Sequence, residues 1–184
     1  MSEYQIIRFC APTLAGLKTA SLFCCDAPDE AELLGQLRHW NTSLAPKGLQ
    51  MLPLRIWNGR ALIYLYRPKA LARDLACEDA ACLLNGSGYD GTEPSGCLRC
   101  LMDRLQCQKD GFPHEIGLFL SYPPEDVKGF IDNNAANFKY SGLWKVYGDE
   151  KRAKAMFEKF KKCTDIYCRM WQAGVSLDRL AGSA

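Results

Sequence analysis

Two apolar segments joined by a tight turn constrain this chain more than any other feature. The segments MLPLRIW and RALIYLYR lie on either side of Asn58-Gly59. Asn-Gly is a pair that tolerates a positive φ at both positions of a two-residue hairpin turn. The pattern therefore predicts an antiparallel hairpin over residues 50–67. Because a two-stranded hairpin alone is marginally stable in water, other elements must cover its apolar face.

Amphipathic helices are predicted before and after this hairpin. Apolar side chains repeat at helical spacing from Leu33 to Leu44, and Asp26 is expected to cap that helix. Asp149 is expected to cap a long final helix, and the predicted helix that starts at Cys97 runs to Lys109. Three further helices are predicted to begin at prolines: Pro12, Pro68 and Pro124.

Two other segments have the composition of strands. Residues 114–122, HEIGLFLSY, predict a buried strand, and residues 142–147, GLWKVY, predict another. Helices and strands are mixed without a regular βαβ alternation, which favours the α+β class. We therefore expect a single compact α+β domain over residues 1–184, with a small mixed or antiparallel sheet packed by amphipathic helices.

Ten cysteines are the unusual part of the composition of this 184-residue chain. The N-terminus lacks a basic segment followed by an apolar one, so we expect a cytoplasmic protein with reduced thiols. A net charge of +2 does not favour nucleic-acid binding, and no apolar run is long enough to span a membrane. Residues 139–162 hold eight Lys and Arg residues and three acidic residues, a net charge of +5. This basic surface would suit an acidic protein partner, such as a flavodoxin-type electron carrier.

Cys10 and His114 are the candidate catalytic pair. If a helix begins at Pro12, Cys10 lies beside its N-terminus, where the helix dipole and free N–H groups favour the thiolate. His114 would stand at the start of a buried strand, a position that suits a general base. Papain-like thiol hydrolases use this arrangement, and HEIGLFLSY is similar to the histidine strand of the bacterial cell-wall endopeptidases among them. The alternatives are an inert core cysteine and a structural histidine.

The residue that would orient His114 is left open by the sequence. Glu115 is its neighbour on the predicted strand, and neighbouring side chains on a strand point to opposite faces. Three other polar residues are available for this role: Glu125, Asn137 and Asp149.

Cys97, Cys100 and Cys107 form a further candidate site. On a helix these three positions share one face, within roughly 80° of arc. Cys-x-x-Cys occurs in zinc, iron–sulfur and dithiol redox sites. No second pair follows at matching spacing, so a fourth thiolate would have to come through folding from one of four cysteines: Cys77, Cys82, Cys163 or Cys168. The alternative is a set of ordinary helix-packing cysteines.

Five segments of the sequence together resemble a known family. They are CAPTLAGLK, SLFCC, ALIYLYRP, FPHEIGLFLSYPPEDVKGFI and GLWKVYGD. Through them the chain is similar to the domain of unknown function 3793 family, small cytoplasmic proteins mostly of anaerobic Gram-positive bacteria, with no established activity. Ser121 stands where the family more often has glycine. Members accompany flavodoxins and iron-uptake genes, so the resemblance implies a metal or redox setting. It also implies that six residues lie in recurring motifs: Cys10, Cys25, His114, Glu115, Lys145 and Tyr147.

Three functional hypotheses follow. In the first, the protein is a thiol-dependent hydrolase or transferase with Cys10 as nucleophile and His114 as base. Its small substrate would be bound by one or more of three residues: Glu115, Lys145 and Tyr147. In the second, Cys10, Cys25 and His114 hold iron, zinc or a metal-containing cofactor in a redox or iron-handling protein. In the third, the protein is a non-catalytic scaffold that binds a partner through its basic helix.

Overall fold

A computed structural model describes residues 1–107 and 111–182 of the chain. The chain divides into two compact units, which are described separately: Met1–Lys69 with Phe160–Ala184, and Ala70–Lys159. The helices and strands are, in chain order, α1 (Glu3–Leu14), β1 (Ala20–Asp26), α2 (Glu30–Leu44), β2 (Gln50–Trp57), β3 (Arg60–Tyr66), α3 (Pro68–Leu75), α4 (Glu78–Gly86), α5 (Pro94–Cys107), α6 (Ile116–Phe119), α7 (Pro124–Asp132), β4 (Tyr140–Ser141), β5 (Lys145–Val146), α8 (Glu150–Gln172) and α9 (Leu177–Leu180). The α+β class is confirmed, and the expectation of one domain over residues 1–184 stays a prediction.

The predicted hairpin forms most of the sheet of the first unit. Asn58 and Gly59 have φ values of 45° and 71°, and the turn joins β2 to β3 as predicted. β1 pairs antiparallel with the other edge of β3, so the strand order is β1-β3-β2. Pro53 lies on β2, an edge strand, where the missing N–H group is tolerated. A change of register follows it, between Pro53 and Arg55.

The first helix begins earlier than the sequence predicts. The Ser2 hydroxyl accepts the Gln5 N–H at 3.2 Å, and the Gln5 side-chain oxygen accepts the Ser2 N–H at 2.9 Å. This reciprocal pair is a capping box, and it starts α1 at the following residue. Pro12 lies in the last turn of α1 and Cys10 lies inside the helix. The prediction that a helix starts at Pro12, with Cys10 beside its N-terminus, is wrong.

The core of the first unit lies where α1 packs on β1 and α2 packs on β2. The predicted amphipathic helix over α2 is confirmed, but its cap is Asp29, whose side chain accepts the Glu32 N–H at 3.1 Å. Asp26 ends β1, so the prediction that Asp26 caps the helix is wrong. The main side chains buried between these elements are Ile6, Ile7, Leu14, Phe23, Leu33, Leu37, Ile63 and Leu65.

Several helical predictions from residue 68 onwards are confirmed. α3 begins at Pro68 and α7 begins at Pro124, as the sequence predicts. α5 begins at Pro94, three residues before the predicted start. The predicted end of that helix, at Lys109, lies outside the described residues.

Residues 114–122 do not form the predicted buried strand. They form a turn and the short helix α6, and their backbone groups are satisfied locally; for example, the Leu118 N–H donates to the Glu115 carbonyl at 2.9 Å. Ser121 has a φ of 55°, a left-handed conformation that a strand does not contain. The similarity to the histidine strand of the cell-wall endopeptidases therefore does not extend to the backbone.

A short strand pair lies between α7 and α8 in the second unit. β4 pairs antiparallel with β5, and each strand has two residues, so only Lys145–Val146 of the strand predicted over residues 142–147 is formed. The Asp149 carboxylate accepts the Arg152 N–H at 3.0 Å and caps α8, as the sequence predicts.

Candidate functional site

His114 lies in the turn that precedes α6. Its neighbours Pro113 and Glu115 are buried, whereas His114 is exposed. Its imidazole ring contacts two aromatic rings, with centroid distances of 4.9 Å to Phe130 and 5.9 Å to Phe112. Because both flanking residues are anchored in the protein, the turn holds the imidazole in a defined place at the surface.

A cleft of about 300 Å³ opens beside this imidazole, and we call it the His114 cleft. It is formed by the turn before α6, by α7 and by the segment that contains β5. His114 and Lys145 bring a titratable imidazole and an ammonium group to its surface. Most of its other lining side chains are apolar: Phe112, Ile116, Val127, Phe130, Leu143 and Trp144.

Asp126 joins two walls of the His114 cleft. This residue is buried on α7, and its Oδ2 accepts the indole N–H of Trp144 at 2.7 Å. Its Oδ1 accepts the backbone N–H groups of Tyr147 and Gly148, at 2.7 and 2.8 Å. The Trp144 ring also packs against Phe157 of α8, with the centroids 4.4 Å apart. The buried carboxylate thus fixes the β5 segment against α7 and sets the position of the tryptophan in the cleft wall.

Lys145 is held at the cleft by a carbonyl and by aromatic rings. Its Nζ donates a hydrogen bond to the Ala135 carbonyl at 2.6 Å. The same nitrogen lies 4.7 Å from the ring centroid of Phe138 and 5.7 Å from that of Phe130. An ammonium group has three N–H donors, and within the described part of the chain one of them is directed to a carbonyl. The Lys145 ammonium can therefore still bind an acceptor that enters the cleft.

A second cavity, of about 610 Å³, shares two lining residues with the His114 cleft: Phe112 and His114. We call it the Arg104 cavity. Its wall is more polar, because α5 contributes charged residues and thiols to it. Among its other lining residues are Arg99, Cys100, Asp103, Arg104, Cys107 and Glu115.

Glu115 is the centre of a buried polar cluster beside the Arg104 cavity. Its Oε1 lies 2.9 Å from the Nε of Arg104 and accepts the Tyr89 hydroxyl at 3.0 Å. The Arg104 Nη1 donates to the Ser87 carbonyl at 2.7 Å. Burial, and then the negative charge of Glu115, raise the pKa of Tyr89, so its hydroxyl stays a donor. The cluster fixes Glu115 and, through the backbone, the turn that carries His114.

The three predicted substrate contacts are found in different places of the second unit. Lys145 lines the His114 cleft, and Glu115 lines the Arg104 cavity. The Tyr147 hydroxyl donates to the Ala136 carbonyl at 2.9 Å, so this side chain supports the chain next to the cleft. Their roles as substrate contacts stay predictions.

Cys10 lies in the core of the first unit and is 0% exposed. Burial raises the pKa of its thiol, and this outweighs the Lys18 charge and a hydrogen bond with Ser21, both of which lower that pKa. The Ser21 hydroxyl lies 2.8 Å from the Thr13 hydroxyl, so the thiol belongs to a small buried polar group. A thiol with a raised pKa is protonated at neutral pH and is a weak nucleophile. The Cys10–His114 catalytic pair stays a prediction.

The predicted metal ligands do not form a recognisable site. In residues 1–107 and 111–182, no group of three or more His, Cys, Asp or Glu side chains is arranged to hold a metal ion. Cys25 is buried in the first unit, and the Cys97 thiol donates to the Gly91 carbonyl at 3.5 Å. All ten cysteines are free thiols. Iron or zinc binding stays a prediction for either proposed set: Cys10, Cys25 and His114, or Cys97, Cys100 and Cys107.

Sequence reasoning missed the residues that build the walls of the two cavities. In the sequence, Asp126 is one of two acidic residues in the first turn of a predicted helix, where acids are common. Nothing local shows that its carboxylate binds Trp144, because the partners are 18 residues apart in the chain. Arg104 likewise reads as a charged residue on an amphipathic helix. The one signal available was the polar residue Glu115 inside an apolar run, which indicates a buried partner.

The fold and the site define an α+β protein whose second unit carries an apolar cleft beside an exposed histidine. A family model described as "Protein of unknown function (DUF3793)" matches residues 6–181. The chain belongs to this family, and the resemblance found in the sequence is confirmed. No curated protein and no solved structure matches the chain. Among the helices of the described residues, none has both the length and the apolar character needed to cross a membrane.

Proposed function

We propose that this protein binds a small ligand with an apolar body and an acidic group in the His114 cleft. Lys145 binds the acidic group, and His114 exchanges a proton with the ligand. The observation that carries the proposal is that one cleft brings an ammonium group and an imidazole to the edge of apolar walls. Small-molecule sites have this composition, with mainly apolar walls and a few polar groups that set orientation.

The apolar walls argue for a ligand rather than for an empty surface. Phe112 is 53% exposed and Leu143 is 57% exposed, although both are large hydrophobic residues. A ligand that covers these side chains gains about 25 cal/mol for each Å² of apolar surface removed from water. The cavity volume of about 300 Å³ restricts the ligand to a small molecule or a single side chain.

His114 and Lys145 determine which chemical group the ligand carries at the end opposite its apolar body. The Lys145 ammonium is already positioned by Ala135 and by two aromatic rings, so little side-chain entropy is lost when it binds an acceptor. Histidine exchanges protons near neutral pH and is the residue that most often acts as a general acid or base. A carboxylate between His114 and Lys145 would satisfy both groups.

Thiol, metal and partner chemistry have less support than ligand binding. Cys10 is fully buried with a raised pKa, so the thiol-dependent enzyme stays a hypothesis. The metal-binding redox protein also stays a hypothesis. Exposed basic residues on α8, among them Lys151 and Lys154, are the observation that supports an acidic protein partner.

Binding of two isosteric probes tests the proposal. The probes are phenylpropionate and its uncharged analogue phenylpropionamide, titrated calorimetrically into the full-length protein. Lys145→Met should weaken phenylpropionate binding by about tenfold or more, because a hydrogen bond to a charged group contributes roughly 1.5–3 kcal/mol. It should leave phenylpropionamide binding almost unchanged. Leu143→Ala should weaken both probes to the same extent, because it removes only apolar contact.

Matched controls distinguish this site from general basic character. Lys139 also donates to a backbone carbonyl, that of Gly148, but does not line the cleft, so Lys139→Met should bind both probes as the wild type does. His114→Gln should weaken phenylpropionate binding more than phenylpropionamide binding, because a carboxylate between His114 and Lys145 then loses one of its two charged or polar partners. The proposal is wrong if neither probe binds, or if Lys139→Met and Lys145→Met weaken phenylpropionate equally.

A further inference from the structure

We infer that the ligand of the His114 cleft is peptide-like and continues past His114 into the Arg104 cavity. Its apolar side chain occupies the cleft, its terminal carboxylate binds Lys145, and an amide-linked extension reaches Arg104 and Glu115. This inference rests on the proposed function and names the class of ligand for the same site.

The His114 cleft and the Arg104 cavity meet at His114, which we place at the centre of the site. Phe112 and His114 line both of them, so a ligand in contact with the imidazole can reach either space. Each cavity has a different chemistry, since apolar side chains dominate the His114 cleft and α5 supplies charged residues to the Arg104 cavity. A ligand that fills both must therefore have an apolar part and a polar part, joined near His114.

The charged residues of the Arg104 cavity determine which type of polar group on the ligand can bind there. Arg104 and Glu115 form an ion pair with an N–O distance of 2.9 Å, so the pair offers donors and acceptors but little net charge. Two donor atoms of Arg104, Nε and Nη1, already bind Glu115 and the Ser87 carbonyl. A guanidinium carries five N–H donors, which leaves further donors on a side chain that lines the cavity. A peptide group supplies one acceptor and one donor, and this matches a neutral Arg–Glu pair better than a second anion does.

The polar cluster is pre-organised for such a contact. Glu115 is 4% exposed and is fixed by Arg104 and Tyr89 before any ligand arrives. Its carboxylate has up to four lone-pair sites, and the two contacts named here both use Oε1. Binding of an amide therefore requires no rearrangement of the wall, which lowers the entropy lost on binding.

A pair of probes that share one core tests the extension. N-acetylglycyl-phenylalanine contains the phenylpropionate core and adds two amide groups beyond it. It should bind the full-length protein about fivefold to tenfold more tightly than phenylpropionate, the gain expected from one additional net hydrogen bond. Cys100→Phe, which fills the Arg104 cavity, should remove this gain and leave phenylpropionate affinity unchanged. Cys82→Phe, at an exposed cysteine that lines neither cavity, is the matched control and should retain the gain.

Thiol protection gives a second measurement that needs no variant. Iodoacetamide labelling of the half-buried Cys100, followed by mass spectrometry, should slow at least fivefold in saturating N-acetylglycyl-phenylalanine and remain unchanged in saturating phenylpropionate. Labelling of Cys82 should not respond to either probe. If phenylpropionate binds but the longer probe brings neither a gain in affinity nor protection, the extension is refuted and the proposed function stands. If neither probe binds, both fail.

Discussion

Replacing Lys18 by methionine should remove a pH dependence of stability that originates in the first unit. Burial lowers the pKa of Lys18 from 10.5 to about 8. Between these two values the unfolded chain binds more protons than the folded chain, so the free energy of unfolding rises with pH in this window. For one group with these two pKa values, the rise from pH 7 to pH 9.5 amounts to about 2 kcal/mol.

The assay is urea denaturation at a series of pH values between about 7 and 9.5, in the presence of a reductant. Buried thiols such as Cys10 act in the opposite direction, because a raised pKa makes the folded state lose stability once the pH passes the ordinary value of 9.0. Burial outweighs the Lys18 charge in setting the Cys10 pKa, so the folded-state thiol stays protonated up to about pH 9.5 with or without that charge. The difference between the wild-type and Lys18→Met curves in this window therefore isolates the lysine. The exposed Lys69 supplies the control, and Lys69→Met should follow the wild-type curve. Parallel curves for wild type and Lys18→Met would refute the reasoning.

Three further predictions concern the core, the cleft wall and the thiols. Asp126→Ala should lower the free energy of unfolding by about 3 kcal/mol or more, because one buried and two half-buried donors lose their acceptor. Replacement of the exposed Asp132 by alanine should change it by less than about 0.5 kcal/mol, and equal effects of the two variants in urea denaturation would contradict the cleft-wall geometry. Gly129→Ala should lower the free energy of unfolding by about 1–3 kcal/mol, since an added methyl group overlaps the Tyr147 ring. A stability equal to that of wild type would show that the contact relaxes freely. In the native protein, iodoacetamide should label the exposed Cys24 about a hundredfold faster than the buried Cys10, and in urea the two rates should be equal. Rapid labelling of Cys10 in the native protein would restore it as a candidate nucleophile.

Local chemistry made the hairpin and several helix starts predictable. Asn58-Gly59 fixes its turn through the φ values that both residues adopt, and no distant contact is needed for that. Asp149 caps α8 through its own side chain, three residues from its partner, and Pro124 begins α7. The hydrophobic spacing of α2 was equally visible in the sequence.

The start of α1 was predictable but was overlooked. Ser2 and Gln5 have the spacing of a capping box, and the structure shows both of its hydrogen bonds. A helix start at Pro12 lies nine residues after the true start at Glu3, and it brings Cys10 to a helix N-terminus that does not exist. The expectation of a lowered thiol pKa rested on that placement, whereas burial inside the helix raises the pKa.

For residues 114–122, sequence periodicity does not distinguish a buried strand from a buried turn or helix. A continuous apolar run is compatible with a buried strand and with a buried turn or helix, because in each case every side chain avoids water. In the structure, an ion pair with Arg104 outside the segment fixes Glu115, and the left-handed Ser121 lies near the end of the segment.

The segments that line the His114 cleft could be predicted from the sequence, but their convergence into one site could not. All of its lining residues except Ser141 come from two segments that the sequence already marked, 112–131 and 142–149, so His114 and Lys145 could be named as candidates without a structure. Their convergence depends on Asp126, a buried charge that binds the β5 segment to α7 through three donors. A buried carboxylate without those donors would cost several kcal/mol, so the hydrogen bonds and the cleft must form together. Removing the Trp144 donor by Trp144→Phe should therefore loosen the β5 wall and weaken the binding of both phenylpropionate and phenylpropionamide, even though an aromatic side chain is retained at this position.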